Sequence, residues 1–137
     1  MTRIESDQVS ISQNRETVYN YLSDVNNFKN LMPEQVTDWV SDADSCSFNI
    51  KGMATLGMAV ESRDPENGIL LKRSGKAPFD FILNCVIGEG ANAGTTLAQI
   101  QFDADLNPML RMMAEKPLTN FLNMLVNKLK EISEAAA

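Results

Sequence analysis

Histidine is absent from the 137 residues, and cysteine occurs only twice, as Cys46 and Cys85. Without an imidazole the chain cannot build a Ser-His pair, a histidine general base or a His-ligated metal site. The two cysteines lie far apart in sequence and form no CxxC pair, so they do not suggest a thiolate metal site either. The sequence therefore predicts no catalytic residues, no metal ligands and no cofactor.

Positive charge and long hydrophobic runs are also scarce. The chain has 12 Lys and Arg residues and 18 Asp and Glu residues, which gives a net charge of −6. Such a chain repels phosphate backbones and anionic headgroups, so we expect neither nucleic-acid binding nor a membrane-surface protein. No apolar run approaches the roughly 20 residues that span a bilayer, and the polar opening lacks a signal-peptide pattern. We expect a cytoplasmic protein without stable membrane insertion, and its oligomeric state is left open.

The sequence pattern of the first third of the chain predicts one strand followed by two short helices. Alternation that ends at Val9-Ser10-Ile11 predicts a strand over about residues 3–11. Asn14 can then cap a short helix, because its side-chain oxygen can accept a hydrogen bond from a first-turn N–H. Asp24 can cap a second short helix, which should end at Met32-Pro33.

Between residues 35 and 105 the hydrophobic period changes to two, which predicts about six short strands in a meander. The clearest runs are Phe79–Ile87 and Thr96–Ala104, and Asp64–Gly68 has the composition of a tight turn. Hairpin-length connections require neighbouring strands to be antiparallel. The segment therefore predicts one antiparallel sheet.

The last third returns to a helical period. One apolar stripe contains Leu110, Ala114, Leu118, Phe121, Leu122, Leu125, Leu129 and Ile132. Pro108 suits the first helical turn, whereas Pro117 either kinks one helix or begins the long one after a short turn. Residues 133–137 are expected to fray. A sheet with one apolar face and a long striped helix is expected to bury both by curling around the helix.

The N-terminal pattern resembles a known family. The residues that carry the resemblance are Val9, Ile11, Asn14, Glu16, Val18, Tyr21, Leu22, Asp24, Asn27 and Met32-Pro33. They are similar to the signature of the START-like helix-grip superfamily (SRPBCC), which includes polyketide cyclase/dehydrase-like proteins, lipid-transfer proteins and the birch-pollen-allergen fold. The element order matches over essentially the whole of residues 1–137, which are taken as one domain. The resemblance implies an α+β helix-grip fold: a curved antiparallel sheet of about seven strands, in the order β-α-α-β6-α, wrapped around the C-terminal helix.

The resemblance also implies a cavity for hydrophobic small molecules between sheet and helix. The strand predicted over about residues 53–63 mixes small and flexible groups, and the eight methionines of the chain can adapt to irregular shapes. We expect the cavity to be lined by Phe48, Leu56, Met58, Phe81, Leu83, Ile100 and Phe102 from the sheet. From the helix side it should be closed by Met109, Met113, Leu118 and Leu122.

The leading hypothesis is therefore a non-enzymatic protein that binds or carries a lipid, isoprenoid or aromatic metabolite. One alternative is an enzyme of cyclase or dehydratase type on the same fold, in which an acid or a tyrosine assists the reaction. The other is a protein-interaction module whose core is filled. The absence of histidine disfavours the enzyme, and a tightly packed interior would favour the interaction module.

Overall fold

The period-two segments form one eight-stranded sheet in the computed structural model, which describes residues 1–51, 53–75 and 77–135. Its strands are β1 (Thr2–Glu5), β2 (Val9–Ile11), β3 (Val36–Ser41), β4 (Ser45–Ile50), β5 (Ala54–Asp64), β6 (Gly68–Arg73), β7 (Phe81–Glu89) and β8 (Thr96–Ala104). The helices are α1 (Arg15–Ser23), a 3-10 helix (Val25–Leu31) and α2 (Pro108–Ala135).

The sheet is an antiparallel meander from β3 to β8, as the short connections predicted. Its strand order is β1-β8-β7-β6-β5-β4-β3, and β2 also pairs with β8. The turn between β5 and β6 ends at Gly68, whose φ of +122° suits a residue without a Cβ. A Cβ there would also lie 1.9 Å from the carbonyl oxygen of Cys85. The turn prediction for residues 64–68 is thus confirmed.

The single first strand predicted over residues 3–11 is wrong, because two strands occupy that segment. β1 pairs with β8 in one register and β2 in a register shifted by one residue. Between them the Ile100 N–H donates to the Ser6 hydroxyl at 2.9 Å. The Asp7 N–H donates to the Asn123 side chain of α2 at 2.7 Å. These bonds to β8 and α2 pair backbone N–H groups at the break between the two strands. Because of this break, the sheet has eight strands and not about seven.

Both predicted helix caps are present. The Asn14 side chain accepts the Thr17 N–H at 2.8 Å, and α1 follows. The Asp24 side chain accepts the Asn26 N–H at 3.0 Å, and the next seven residues form the 3-10 helix. The two short helices bury Val18, Leu22, Val25, Phe28 and Leu31.

α2 is one continuous helix that begins at Pro108 and contains Pro117 in its interior. Its 28 residues span about 42 Å at 1.5 Å per residue. The fraying expected from residue 133 is wrong in part, because Ser133 is buried and the helix continues to Ala135. Ala136 and Ala137 lie outside the described residues. Among the described helices, none combines the length and hydropathy that a membrane span requires.

α2 packs against β1, β2, β8 and the 3-10 helix. The core lies between this helix and the concave face of the sheet, where β7 and β8 alternate buried and partly exposed side chains. The predicted α+β architecture, a curved antiparallel sheet around a long C-terminal helix, is confirmed.

Candidate functional site

A small void lies where the buried faces of the sheet and α2 meet. Its lining comes from four strands, from α2 and from the residue that follows the 3-10 helix. The lining residues are Met32, Phe48, Ile50, Leu56, Met58, Phe81, Leu83, Phe102, Leu118, Phe121, Leu122 and Leu125. All twelve are apolar, so the lining offers no charged group and no strong side-chain hydrogen bond.

Aromatic contacts build the sheet side of the void. The rings of Phe81 and Phe102 stack with centroids 5.1 Å apart, and they belong to neighbouring antiparallel strands. The ring of Phe79 packs edge-on against each of them at 6.1 and 6.2 Å. On β4 the Phe48 ring stacks on Trp39, with centroids 5.4 Å apart. Trp39 therefore touches the wall of the void without lining it.

The helix side is formed by residues with i, i+3, i+4 and i+7 spacing on α2. Leu118, Phe121, Leu122 and Leu125 lie on one face at this spacing, and all are buried. This set begins immediately after Pro117. The preceding residues of α2 are mostly exposed, so the proline separates the packed part of the helix from its exposed beginning.

The enclosed volume is about 20 Å³. A cavity needs roughly 10–15 Å³ for one water molecule, whereas an engineered apolar cavity that takes up benzene measures about 150 Å³. An apolar molecule of benzene size therefore requires the walls to move. The ring stack of Phe81 and Phe102 and the side chain of Leu118 are among the groups that limit this volume.

The structure brings eight of the eleven expected site residues together around this void. They are Phe48, Leu56, Met58, Phe81, Leu83, Phe102, Leu118 and Leu122. Ile100 is buried but lies beyond the void, at the next inward position of β8 and opposite Cys85. Whether the eight bind a ligand stays a prediction.

The placement expected for Met109 and Met113 is wrong. Their side chains are 72% and 70% exposed and do not line the void. Met109 precedes Leu118 by nine residues, which is half a helical turn out of phase with the buried face. The adaptability of methionine suggested these two residues, whereas Leu110, Ala114 and Leu118 carry the helical period.

Four lining residues were missing from the expected set. Phe121 and Leu125 belong to the apolar stripe of α2, so their period could have identified them. Ile50 follows Phe48 at the strand period of two and could also have been found. Met32 belongs to no such periodic pattern, because it is the residue that follows the 3-10 helix.

Two thiols, Cys46 and Cys85, are buried in the core. Burial raises the pKa of the Cys46 thiol and of the Cys85 thiol from 9.0 to about 12, so both stay protonated at neutral pH. Asp80 forms an ion pair with Arg73 at 3.2 Å on the surface. In residues 1–51, 53–75 and 77–135, no three His, Cys, Asp or Glu side chains cluster in a way that could hold a metal ion.

Comparison with known proteins identifies the fold. No family model matches the sequence, and no curated protein matches it. A START superfamily protein from Mycobacterium smegmatis superposes with a TM-score of 0.75 at 15% identity, over 98% of this chain and 99% of that one. A protein from Thermus thermophilus gives a TM-score of 0.75 at 18% identity, over 99% of each chain.

A plant enzyme has the same architecture. Norcoclaurine synthase from Thalictrum flavum, solved in complex with dopamine and hydroxybenzaldehyde, superposes with a TM-score of 0.73 at 10% identity. The superposition covers 99% of this chain and 88% of the enzyme. Identities this low establish the fold and not the activity. The chain has the helix-grip fold of START-like proteins.

Proposed function

We propose that the protein binds or carries a hydrophobic small molecule between the sheet and α2, and that it does so without catalysing a reaction. The observation that carries this proposal is the lining of the void, in which all twelve residues are apolar. Burying a charged or unpaired polar group there would be costly. The bound part of the ligand is therefore neutral hydrocarbon or an aromatic ring, as in a lipid tail, an isoprenoid or an aromatic metabolite.

Binding requires the void to expand from about 20 Å³. Two of its walls contain thioether side chains, Met32 and Met58, which adopt alternative shapes at low cost. The aromatic walls are less adaptable, because Phe81 and Phe102 are stacked on each other. We therefore expect expansion to begin on the side of α2 and the two methionines.

Pro117 supports such an opening of α2. Proline has no N–H, so the carbonyl of Met113 receives no helical hydrogen bond from it, and the ring favours a bend. The first part of α2, residues 108–117, is largely exposed, and its movement disrupts little packing. A bend at Pro117 would change the position of Leu118, which lines the void.

The absence of an acid or base from the lining supports carriage over catalysis. The cyclase or dehydratase alternative needs a proton donor or acceptor within hydrogen-bond reach of the substrate. Neither tyrosine of the chain, Tyr19 or Tyr21, is among the twelve lining residues. The Tyr21 hydroxyl instead donates to the Asn27 carbonyl at 3.3 Å.

A protein-interaction module with a filled core is the second candidate, and the small volume of the void is the observation that favours it. On this alternative the 20 Å³ is an ordinary packing defect. The two candidates differ in one measurable property, which is saturable uptake of an apolar probe into the interior.

The test is a titration with neutral N-phenyl-1-naphthylamine, followed by probe emission and by quenching of Trp39. Trp39 is the only tryptophan and stacks on Phe48, so it reports on the wall of the void. We expect saturable one-to-one binding with quenching of Trp39 and competition by unlabelled apolar ligands. Linear, non-saturable emission with unchanged Trp39 fluorescence would refute ligand binding and leave the filled-core alternative.

A further inference from the structure

Aromatic side chains are concentrated around the void. The chain has six phenylalanines and one tryptophan. Four of the phenylalanines line the void, namely Phe48, Phe81, Phe102 and Phe121. Phe79 packs edge-on against two of these rings, and Trp39 stacks on a third. Six of the seven Phe and Trp side chains therefore line the void or contact a ring that lines it.

The rings lie on both sides of the void along the sheet. Phe48 is on β4, whereas Phe81 and Phe102 are on β7 and β8. β5 and β6 lie between them in the sheet, and Leu56 of β5 supplies aliphatic lining there. Phe121 adds a fourth ring from α2. A molecule that occupies the void therefore meets aromatic carbon on opposite sides.

Two physical effects favour an aromatic ligand in such a void over a saturated one with the same number of carbon atoms. Each ring pair in edge-to-face or offset-stacked geometry adds about two- to twelvefold in affinity beyond the buried area. A planar ring is also thinner than a puckered one, so it displaces the walls less, and the present volume is only about 20 Å³. Buried apolar area alone predicts the opposite order, because a saturated ring has the larger apolar surface.

We propose that the void selects neutral aromatic rings over acyl chains and other saturated hydrocarbon, and that Phe48 and Phe102 determine this selectivity. The inference rests on the proposed ligand-binding function and specifies its ligand class. An acyl chain gains no ring pairs and loses rotational freedom when it binds, whereas an aromatic ring has no internal rotation to lose.

The test compares the uptake of benzene and of cyclohexane by the full chain at equal free concentration, measured by headspace gas chromatography. Displacement of N-phenyl-1-naphthylamine shows whether both molecules use the same site. We expect benzene to bind at least about fivefold more tightly, although cyclohexane is the more hydrophobic molecule.

The outcomes separate the selectivity from the ligand-binding function. Equal affinities, tighter binding of cyclohexane, or bound N-phenyl-1-naphthylamine that benzene does not displace would overturn the selectivity and leave ligand binding intact. No uptake of either hydrocarbon, together with no binding of N-phenyl-1-naphthylamine, would refute the proposed function and the selectivity with it.

A matched pair of variants assigns the selectivity to the lining rings. Phe102→Leu removes a ring from the lining but keeps a branched apolar side chain, and it should lower the ratio of benzene to cyclohexane affinity at least about twofold. Phe28→Leu is the control, because Phe28 is 2% exposed but does not line the void. It should leave the ratio unchanged. The ratio is the appropriate readout, because any added volume or lost stability affects both ligands.

Phe48→Leu, on the opposite side of the void, is the second lining variant, and it should lower the ratio in the same way. Circular dichroism and thermal melting check that each variant is folded. A ratio in both lining variants equal to that of the wild type and of Phe28→Leu would overturn the role of Phe48 and Phe102.

Discussion

Replacing Leu118 by alanine tests whether the void binds an apolar ligand once its volume is increased. Leu118 is 2% exposed and lines the void, so the deleted carbon atoms leave space that joins the existing 20 Å³. Buried Leu→Ala changes cost about 2.7–5.0 kcal/mol and rise by about 24 cal/mol for each Å³ of cavity that remains. If about 50–80 Å³ stays open, the cavity contributes about 1–2 kcal/mol. We expect a total loss of about 3–4 kcal/mol in the free energy of unfolding.

The matched control is Leu129→Ala. Leu129 is equally buried on α2 but does not line the void. Both variants should lose similar stability in urea denaturation, but only Leu118→Ala should bind N-phenyl-1-naphthylamine more tightly than the wild type. Saturating probe should then raise its melting temperature, because a ligand that binds only the folded state adds RT ln(1 + [L]/Kd). Equal probe binding by the two variants would refute the assignment of this void as the site.

Three further predictions concern stability. Burial raises the pKa of the Cys46 and Cys85 thiols from 9.0 to about 12, so the unfolded chain releases these protons first as the pH rises. The two thiols should not affect the free energy of unfolding below about pH 9. Above about pH 9, that free energy should fall by up to about 1.4 kcal/mol per pH unit for each thiol. Urea denaturation at about pH 8–10 should show a shallower decline in the double alanine variant, and an unchanged slope would contradict the assignment. Asn14→Ala should cost about 1 kcal/mol in the same assay, because the cap to the Thr17 N–H is lost, and no change would show that the cap contributes nothing. Pro117→Ala should raise the melting temperature by restoring a helical hydrogen bond and should slow probe uptake in stopped flow; faster uptake would contradict the role of Pro117 in opening.

Elements with strong local patterns could be predicted from the sequence. β7 and β8 alternate apolar side chains over nine residues each, and the buried stripe of α2 continues over several turns. The caps Asn14 and Asp24 are equally local, since each side chain bonds to an N–H two or three residues later. Such signals do not depend on distant parts of the chain, which is why they predicted the strands, the caps and the long helix.

Features that depend on tertiary contacts could not be predicted. The break between β1 and β2 is stabilised by Asn123 of α2, which lies 116 residues from Asp7. The volume of the void depends on how closely Phe81 and Phe102 stack. The hydrophobic period of a strand does not predict the distance between two side chains on neighbouring strands. Most of the lining residues could be predicted, because the prediction required only knowing which side chains of each strand or helix face inward. The misplaced Met109 shows the limit, since composition alone does not give the direction of a side chain.

The most direct test of ligand binding compares native with denaturing mass spectrometry on the freshly purified protein. The proposal predicts a stoichiometric added mass in the native spectrum that disappears on denaturation and belongs to a neutral, largely apolar molecule. The same spectra after incubation with N-phenyl-1-naphthylamine provide the internal comparison. A bare protein mass in both preparations, with no probe retained at saturating concentration, would contradict the proposal.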